Sequence, residues 1–289
     1  MGSNPAGMRI FHLVNVFARD GGVLTGNPLC VFEDGRGLSA ADMQALALQF
    51  NLSETTFILP ASASGATARV RIFTPGEELP FAGHPTLGTA HVLRRLRGGD
   101  LQALDLAAGI VPVRGEGDRW ALTALPPTSR PVLLPPSDLA ALAGLAAHDL
   151  VDDARTPPLW VNTGTEQLLV PVRSREAVLR AVADPQRLAN VRSGQGRSML
   201  GIFHDDGELV TLRFFFRAGA GFAEDPATGS ACANLGGWFV ATGAGSLERT
   251  IHQGDVIHRP STLQLSVSAS GAITVAGDVV YLGRGEVFL

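Results

Sequence analysis

Ala82-Gly83-His84-Pro85-Thr86-Leu87-Gly88-Thr89-Ala90 returns 141 positions downstream as Ala223-Glu224-Asp225-Pro226-Ala227-Thr228-Gly229-Ser230-Ala231. The outer alanines, the proline and the glycine coincide, and Thr89 faces Ser230. Upstream, Phe73 and Phe81 match Phe214 and Phe222 at the same offset. A repeat this long implies two related halves. In each copy a proline follows a polar residue and precedes a run of small residues. Proline suits the first turn of a helix, where its missing N–H had no intrahelical partner. His84 and Asp225 are therefore predicted at or beside the N-caps of two helices. The unpaired N–H groups there carry the positive end of the macrodipole. If the halves face each other, two such ends converge on one cleft suited to an anionic small molecule.

Outward from these helices, the chain reads as α+β with two pseudo-symmetric lobes. Strands are expected at 9–17, 29–32, 57–59 and 66–74, with a helix from Ser39 to Phe50 opened by a capping-box pairing with Asp42. The first central helix spans 85–97 and stops at Gly98-Gly99. Three β-like runs fill 101–124. Prolines at 126–127 and 131–136 mark the boundary, giving lobes of 8–126 and 127–289 whose terminal strands could cross between them. The second half repeats the grammar: a helix over 137–150, strands within 159–172, helices over 175–183 and 185–191, and strands at 199–204 and 208–217. A second central helix spans 226–242, and three β-like stretches follow between 261 and 289. Small residues such as Gly88, Gly229 and Gly236 let a sheet wrap closely around each central helix. Residues 1–7 precede a second methionine, Met8, and read as a leader or cloning remnant outside the fold.

Hydrophobic residues make up 45% and charged ones 17%, which excludes a disordered chain. A net charge of −4 without a basic run argues against nucleic acid or an anionic membrane as partner. The densest cluster, Arg94, Arg95 and Arg97, falls in the last turn of a predicted helix, where cations complement the dipole. Nothing approaches 18 consecutive apolar residues and no signal-peptide pattern is present, so a cytoplasmic protein is expected. Cys30 and Cys232 match no metal or redox spacing and read as reduced, semi-buried thiols.

Several residues could carry chemistry, each with a plainer alternative. Glu54 follows a helix end and precedes an apolar strand, a place for a cleft carboxylate or for a solvated one. Asp225 could simply cap its helix. His84 stands alone among small residues and could be a satisfied core histidine. Thr89 and Ser230 could bind a carboxylate or bond back to a helical carbonyl. Gly219-Ala220-Gly221 is no dinucleotide loop, because Glu224 takes the third glycine's place and acids would repel a pyrophosphate. There is no HExxH, and His252 and His258 stand six apart in an expected loop, so no metal is expected. Gly-x-Ser-x-Gly is absent too. What is left suits proton transfer beside a carboxylate by acid–base groups alone, with no cofactor.

Four motifs now stand together: Thr25-Gly26-Asn27-Pro28, Asn51-Leu52-Ser53-Glu54-Thr55-Thr56-Phe57, the segment from Glu78 to Ala90, and Glu224-Asp225-Pro226-Ala227-Thr228-Gly229-Ser230-Ala231. In this order they resemble the phenazine-biosynthesis PhzF family, over nearly the whole chain from Met8. The resemblance implies the diaminopimelate epimerase-like fold, with each lobe a mixed sheet curled around a central helix and the active site between the lobes. It also implies cofactor-free isomerisation of trans-2,3-dihydro-3-hydroxyanthranilate, with Glu54 moving the proton and His84 and Asp225 as its catalytic companions. Ser53, Gly83, Gly229, Ser230 and Ala231 would contact the substrate, and the family's habit implies a homodimer. One departure is His258, which replaces a glycine in the family's Gln-Gly…Gly-Arg-Pro-Ser segment and could reshape the pocket or its loop. Neither cysteine lies in a Cys-Gly-Asn-Gly context, which argues against two-base cysteine epimerisation. The competing reading is a non-catalytic binder of small anions that kept the fold. Glu54 argues against it, since a pure anion binder gains nothing from a carboxylate aimed at its ligand.

Overall fold

Each helix marked by the repeat is wrapped by a sheet of its own. The computed structural model describes residues 7–219 and 221–289. They form two units, one running to Leu122 and joined by Ala276–Leu289, the other being Thr123–Val275. Residues 1–6 of the expected leader lie outside the described residues. Gly7 belongs to the fold, because its carbonyl accepts the Leu289 amide at 2.9 Å and so extends a strand pair.

The first unit contains β1 (Met8–Val16), β2 (Asn27–Phe32), α1 (Ala40–Phe50), β3 (Glu54–Leu59), β4 (Ala68–Phe73) and β5 (Glu78–Leu79). Next come α2 (Gly83–Arg97), β6 (Leu101–Leu106), β7 (Gly109–Glu116) and β8 (Arg119–Thr123). The second contains β9 (Thr128–Pro131), α3 (Pro136–Ala141), a 3₁₀ turn at Ala147–Asp149, β10 (Leu159–Asn162), β11 (Glu166–Pro171), α4 (Arg175–Arg180) and α5 (Pro185–Leu188). It continues with β12 (Met199–Asp205), β13 (Leu209–Ala218), β14 (Gly221–Asp225), α6 (Gly229–Ala241), β15 (Leu247–Gln253) and β16 (Ser261–Val267). The last strand, β17 (Ile273–Phe288), gives its final part to the first unit.

In the first unit β1 pairs antiparallel with β2, β2 runs parallel to β3, and β3 is antiparallel to β4. A parallel step leads from β4 to β6, followed by antiparallel β7 and β8. β17 joins β8 to β1 and closes this mixed sheet of eight strands. Closure removes free edges, and α2 fills the interior. Gly83 through Leu93 are buried without a break. A Cβ on Gly88 would lie 2.6 Å from Leu29 Cδ2 and 2.8 Å from Val16 Cγ2, so the small residue is what lets the helix pass. α1 packs outside through Met43, Leu46 and Ala47 against Phe32, Phe57 and Phe73. Its capping box forms as read from the sequence: the Ser39 side chain accepts the Asp42 amide, and Asp42 accepts the Ser39 amide.

The second unit repeats this pairing order. β11 runs parallel to β12, β12 and β14 are each antiparallel to β13, and β13 is parallel to β15, which pairs with β16. α6 is the buried counterpart of α2, and a Cβ on Gly236 would meet Ile273 Cγ2 at 2.7 Å. The short helices α3 and α4 cover Trp160, Leu168 and Phe215 on the other face of the sheet.

Five expectations need correction. The helix expected over 137–150 ends at Ala141, because Gly144 takes a left-handed φ of 62° and Leu145 bonds back to the Ala140 carbonyl. Strands β14 and β15 carry no clear sequence signal, and His252 stands in β15 rather than in a loop. Two strands, not three, occupy the chain after 260, since β17 runs through the expected break. The second central helix begins at Gly229, not Pro226, because the β13–β14 ladder holds the chain extended as far as Asp225, opposite Phe214. The first begins at Gly83, so His84 is already helical and Pro85 is its third residue.

Candidate active site

Glu54 is the first residue of β3, and the parallel register sets it opposite Leu29. Gly83 and His84 open α2, whose start lies across from this strand end, and His84 Nε2 comes within 3.3 Å of Glu54 Oε2. Both side chains are largely withdrawn from water, at 15% exposure for Glu54 and 5% for His84. Burial pushes the imidazole down to about 3, opposed by a hydrogen bond to the Pro28 carbonyl. A carbonyl only accepts, so the ring nitrogen facing Pro28, Nδ1, carries the hydrogen. Nε2 is then a bare lone pair turned toward the carboxyl group. Pro28 thus fixes the tautomer, a role that its motif did not reveal in the sequence. Ser53 precedes Glu54 in the connecting turn and is half-buried.

In the second unit Asp225 closes β14 and does not hold the N-cap position of α6. Thr228 holds the N-cap position, and its hydroxyl donates to Asp225 Oδ2 at 2.6 Å. Gln253, at the end of β15, ties this corner together. Its amide nitrogen donates to the Asp225 carbonyl at 2.8 Å and to Thr228 Oγ1 at 2.9 Å, while its oxygen accepts the Thr228 amide at 3.0 Å. The acid is therefore a half-buried carboxylate positioned by its neighbours. The N-cap position expected for Asp225 belongs instead to Thr228, three positions further on.

Ser230 stands in the first turn of α6, between buried Gly229 and Ala231. Its Oγ accepts Gln167 Nε2 at 2.9 Å, Gln167 Oε1 accepts Asn234 Nδ2 at 2.8 Å, and Asn234 Oδ1 accepts the Thr163 amide at 2.8 Å. This relay holds the hydroxyl oxygen as an acceptor and leaves its O–H as a donor. Neither Gln167 nor Asn234 was singled out in the sequence; both act across more than 60 residues. Glu224, next to Asp225, is consumed by a buried pair with Arg213, at 2.5 Å between Arg213 Nη2 and Glu224 Oε2.

Other candidates fall outside these clusters. Thr89 is fully buried and shares a 2.8 Å hydrogen bond with Thr56, so its hydroxyl is structural. Cys30 and Cys232 are fully buried rather than semi-buried, and burial pushes both thiols up. His258 is exposed, and its φ of 58° keeps the left-handed backbone that a glycine would favour. Among the described residues no group of three or more His, Cys, Asp or Glu could hold a metal, and no helix is long and apolar enough to cross a membrane.

Residues 14–285 match the family model for phenazine biosynthesis-like proteins. The chain is 38% identical over 283 residues to an uncharacterized isomerase of Pasteurella multocida, covering 96% of this chain and 94% of that one. It is 32% identical over 294 residues to a trans-2,3-dihydro-3-hydroxyanthranilate isomerase of Pseudomonas aeruginosa, covering 98% and 100% of the two chains. A solved phenazine biosynthesis protein of the PhzF family from Bacillus anthracis has the same fold, with a TM-score of 0.85 at 26% identity over 98% of this chain and 99% of that one.

Proposed function

The chain belongs to the phenazine biosynthesis-like family, and on that premise we propose that this isomerase acts on trans-2,3-dihydro-3-hydroxyanthranilate or a close cyclic carboxylate. Its coarser activity, isomerisation of a small carboxylate by acid–base proton transfer, follows from membership. The observation that carries the finer reading is the Glu54–His84 contact. A neutral imidazole with a bare Nε2 accommodates a proton on the carboxyl group facing it. We assign to Glu54 removal of a proton from one carbon of the substrate and its return to another, so that atoms balance and no redox partner is needed. His84 holds the carboxyl group in the orientation for both steps.

For the second unit we assign substrate recognition to Asp225, Ser230 and the amides at Gly229 and Ala231. Asp225 suits an amino or hydroxyl group, and the O–H of Ser230 with the first-turn amides suits a carboxylate. Gly83 and Ser53 are assigned the same kind of contact in the first unit. The reading includes a homodimer, which light scattering would check. The deciding experiment is proton NMR of trans-2,3-dihydro-3-hydroxyanthranilate with catalytic amounts of the protein in D₂O. Consumption over many turnovers, with deuterium appearing at the reprotonated carbon or the original proton retained there, supports the reading. No consumption, with turnover of another cyclic or amino-acid-like acid, moves the assignment to that substrate.

A further inference from the structure

A cavity in the first unit lies away from Glu54. It has a volume of about 540 Å³ and is lined by His91, Arg94, Arg95, Asp118 and Tyr281, with Val279 and Val280 of β17. His91 is only 3% exposed, and its Nδ1 receives the indole N–H of Trp120 at 3.3 Å. An indole nitrogen can only donate, so Nδ1 is an acceptor and the neutral ring carries its hydrogen on Nε2. Burial, with Arg94 next, pushes this histidine down to about 4, which keeps it neutral at physiological pH. Its Nε2–H is therefore a buried donor, and no hydrogen-bond partner meets it. Such groups are rare in folded proteins and call for an occupant. His91 is one of the residues lining the cavity, and with its Nδ1 edge taken by Trp120 the Nε2 edge is the one left for an occupant. That edge is closed to water here, so an occupant reaches it by displacing the side chains around it.

The two arginines are held differently. Arg94 lies over the Trp120 ring at 4.9 Å and is answered at the rim by Asp100 at 3.4 Å and Asp118 at 3.7 Å. Arg95 lies over the Tyr281 ring at 3.9 Å and meets no carboxylate among the described residues. A guanidinium stacked on a ring keeps its N–H edge free for the in-plane, two-point approach that carboxylates and phosphates favour. Tyr281 is itself fixed, its hydroxyl 3.0 Å from His12 Nδ1. The negative end of α2 lies nearby with about half a charge, which the unanswered cation outweighs.

We propose that this cavity is a binding site for the oxyanion group, carboxylate or phosphoryl, of a small metabolite, with Arg95 supplying charge and His91 Nε2–H a directed hydrogen bond. The site is separate from the proton-transfer residues and would let such a metabolite stabilise or regulate the protein.

The test uses protein with ¹⁵N-labelled histidine, titrated with inorganic phosphate in one arm and succinate in the other, with calorimetry alongside. At least one probe should saturate in the millimolar range or tighter and move the His91 Nε2 resonance, and the arm that does so identifies the group. Arg95→Gln, at an exposed position, should fold normally and weaken that binding at least fivefold. His91→Gln should weaken it too. Failure of both probes to shift His91 Nε2 at 50 mM would overturn the proposal. So would binding that Arg95→Gln leaves unchanged, because the anion would then sit elsewhere.

Discussion

Glu54 Oε2 and His84 Nε2 face each other at 3.3 Å although one residue begins a strand and the other a helix 30 positions later. What joins them is the β2–β3 register: it puts Glu54 opposite Leu29, one residue from the Pro28 carbonyl that orients His84. A carboxyl group and a neutral imidazole can share one proton between them.

Glu54→Gln tests who moves the proton. Glutamine keeps the shape and can donate an amide hydrogen to the lone pair on His84 Nε2, but it has no transferable proton. Turnover should fall about 10²–10⁴-fold, while the melting temperature stays close to the parent's. Steady-state rates beside thermal melts check this, and full activity in the variant would move the role to Asp225.

The His84 environment predicts an acid-sensitive fold. In the unfolded chain the ring titrates at its ordinary value of 6.5, and in the folded chain only at about 3. Between these values the unfolded state binds the extra proton, so stability falls as pH is lowered from 6.5 toward 3. The slope for one such ring is at most about 1.4 kcal/mol per pH unit. His91, pushed down to about 4, acts with the same sign. Urea melts from pH 7 to pH 4 should show the decline, and His84→Asn should flatten it. An equal slope in that variant would mean that the ring is not buried in its neutral form.

Asp225 can be probed without touching a helix cap. Asparagine retains an oxygen for the Thr228 hydroxyl, so Asp225→Asn should melt like the parent yet lose much of its rate. Asp225→Ala leaves a nearly buried hydroxyl without its acceptor and should cost about 1–3 kcal/mol. Paired melts and rates decide; an Asn variant with unchanged turnover returns Asp225 to a structural role.

Gly88→Ala probes the threaded helix. The new Cβ would collide with Leu29 and Val16 side chains, and overpacking of this kind costs about 1–3 kcal/mol. The melting temperature should drop by several degrees. An unchanged value would show that the barrel wall yields easily around α2.

The repeat, the small-residue helices and the Ser39–Asp42 capping box were legible because each is a local pattern with its own spacing. Asp225 misled for a physical reason: an acid before a proline looks like a cap, but the β13–β14 ladder wins over helix initiation until Thr228. Gln167 and Asn234 gave no signal, and Gln253 stood out only as part of a family segment with no role attached, since a side-chain amide acting across 25 or more residues looks like any other polar residue until the sheet forms. His84 was singled out, yet its tautomer was not, because that depends on a carbonyl brought near by strand pairing.

The strand that closes the first barrel comes from residues 276–289, while the second unit is one continuous stretch. During synthesis, at roughly 5–20 residues per second, the N-terminal strands emerge long before their seam partner. β1 and β8 must wait with unpaired edges, a state prone to association with other chains. The later unit can finish first. A nascent chain exposed as far as Val275 would therefore carry a completed second unit together with an N-terminal barrel still open along one seam.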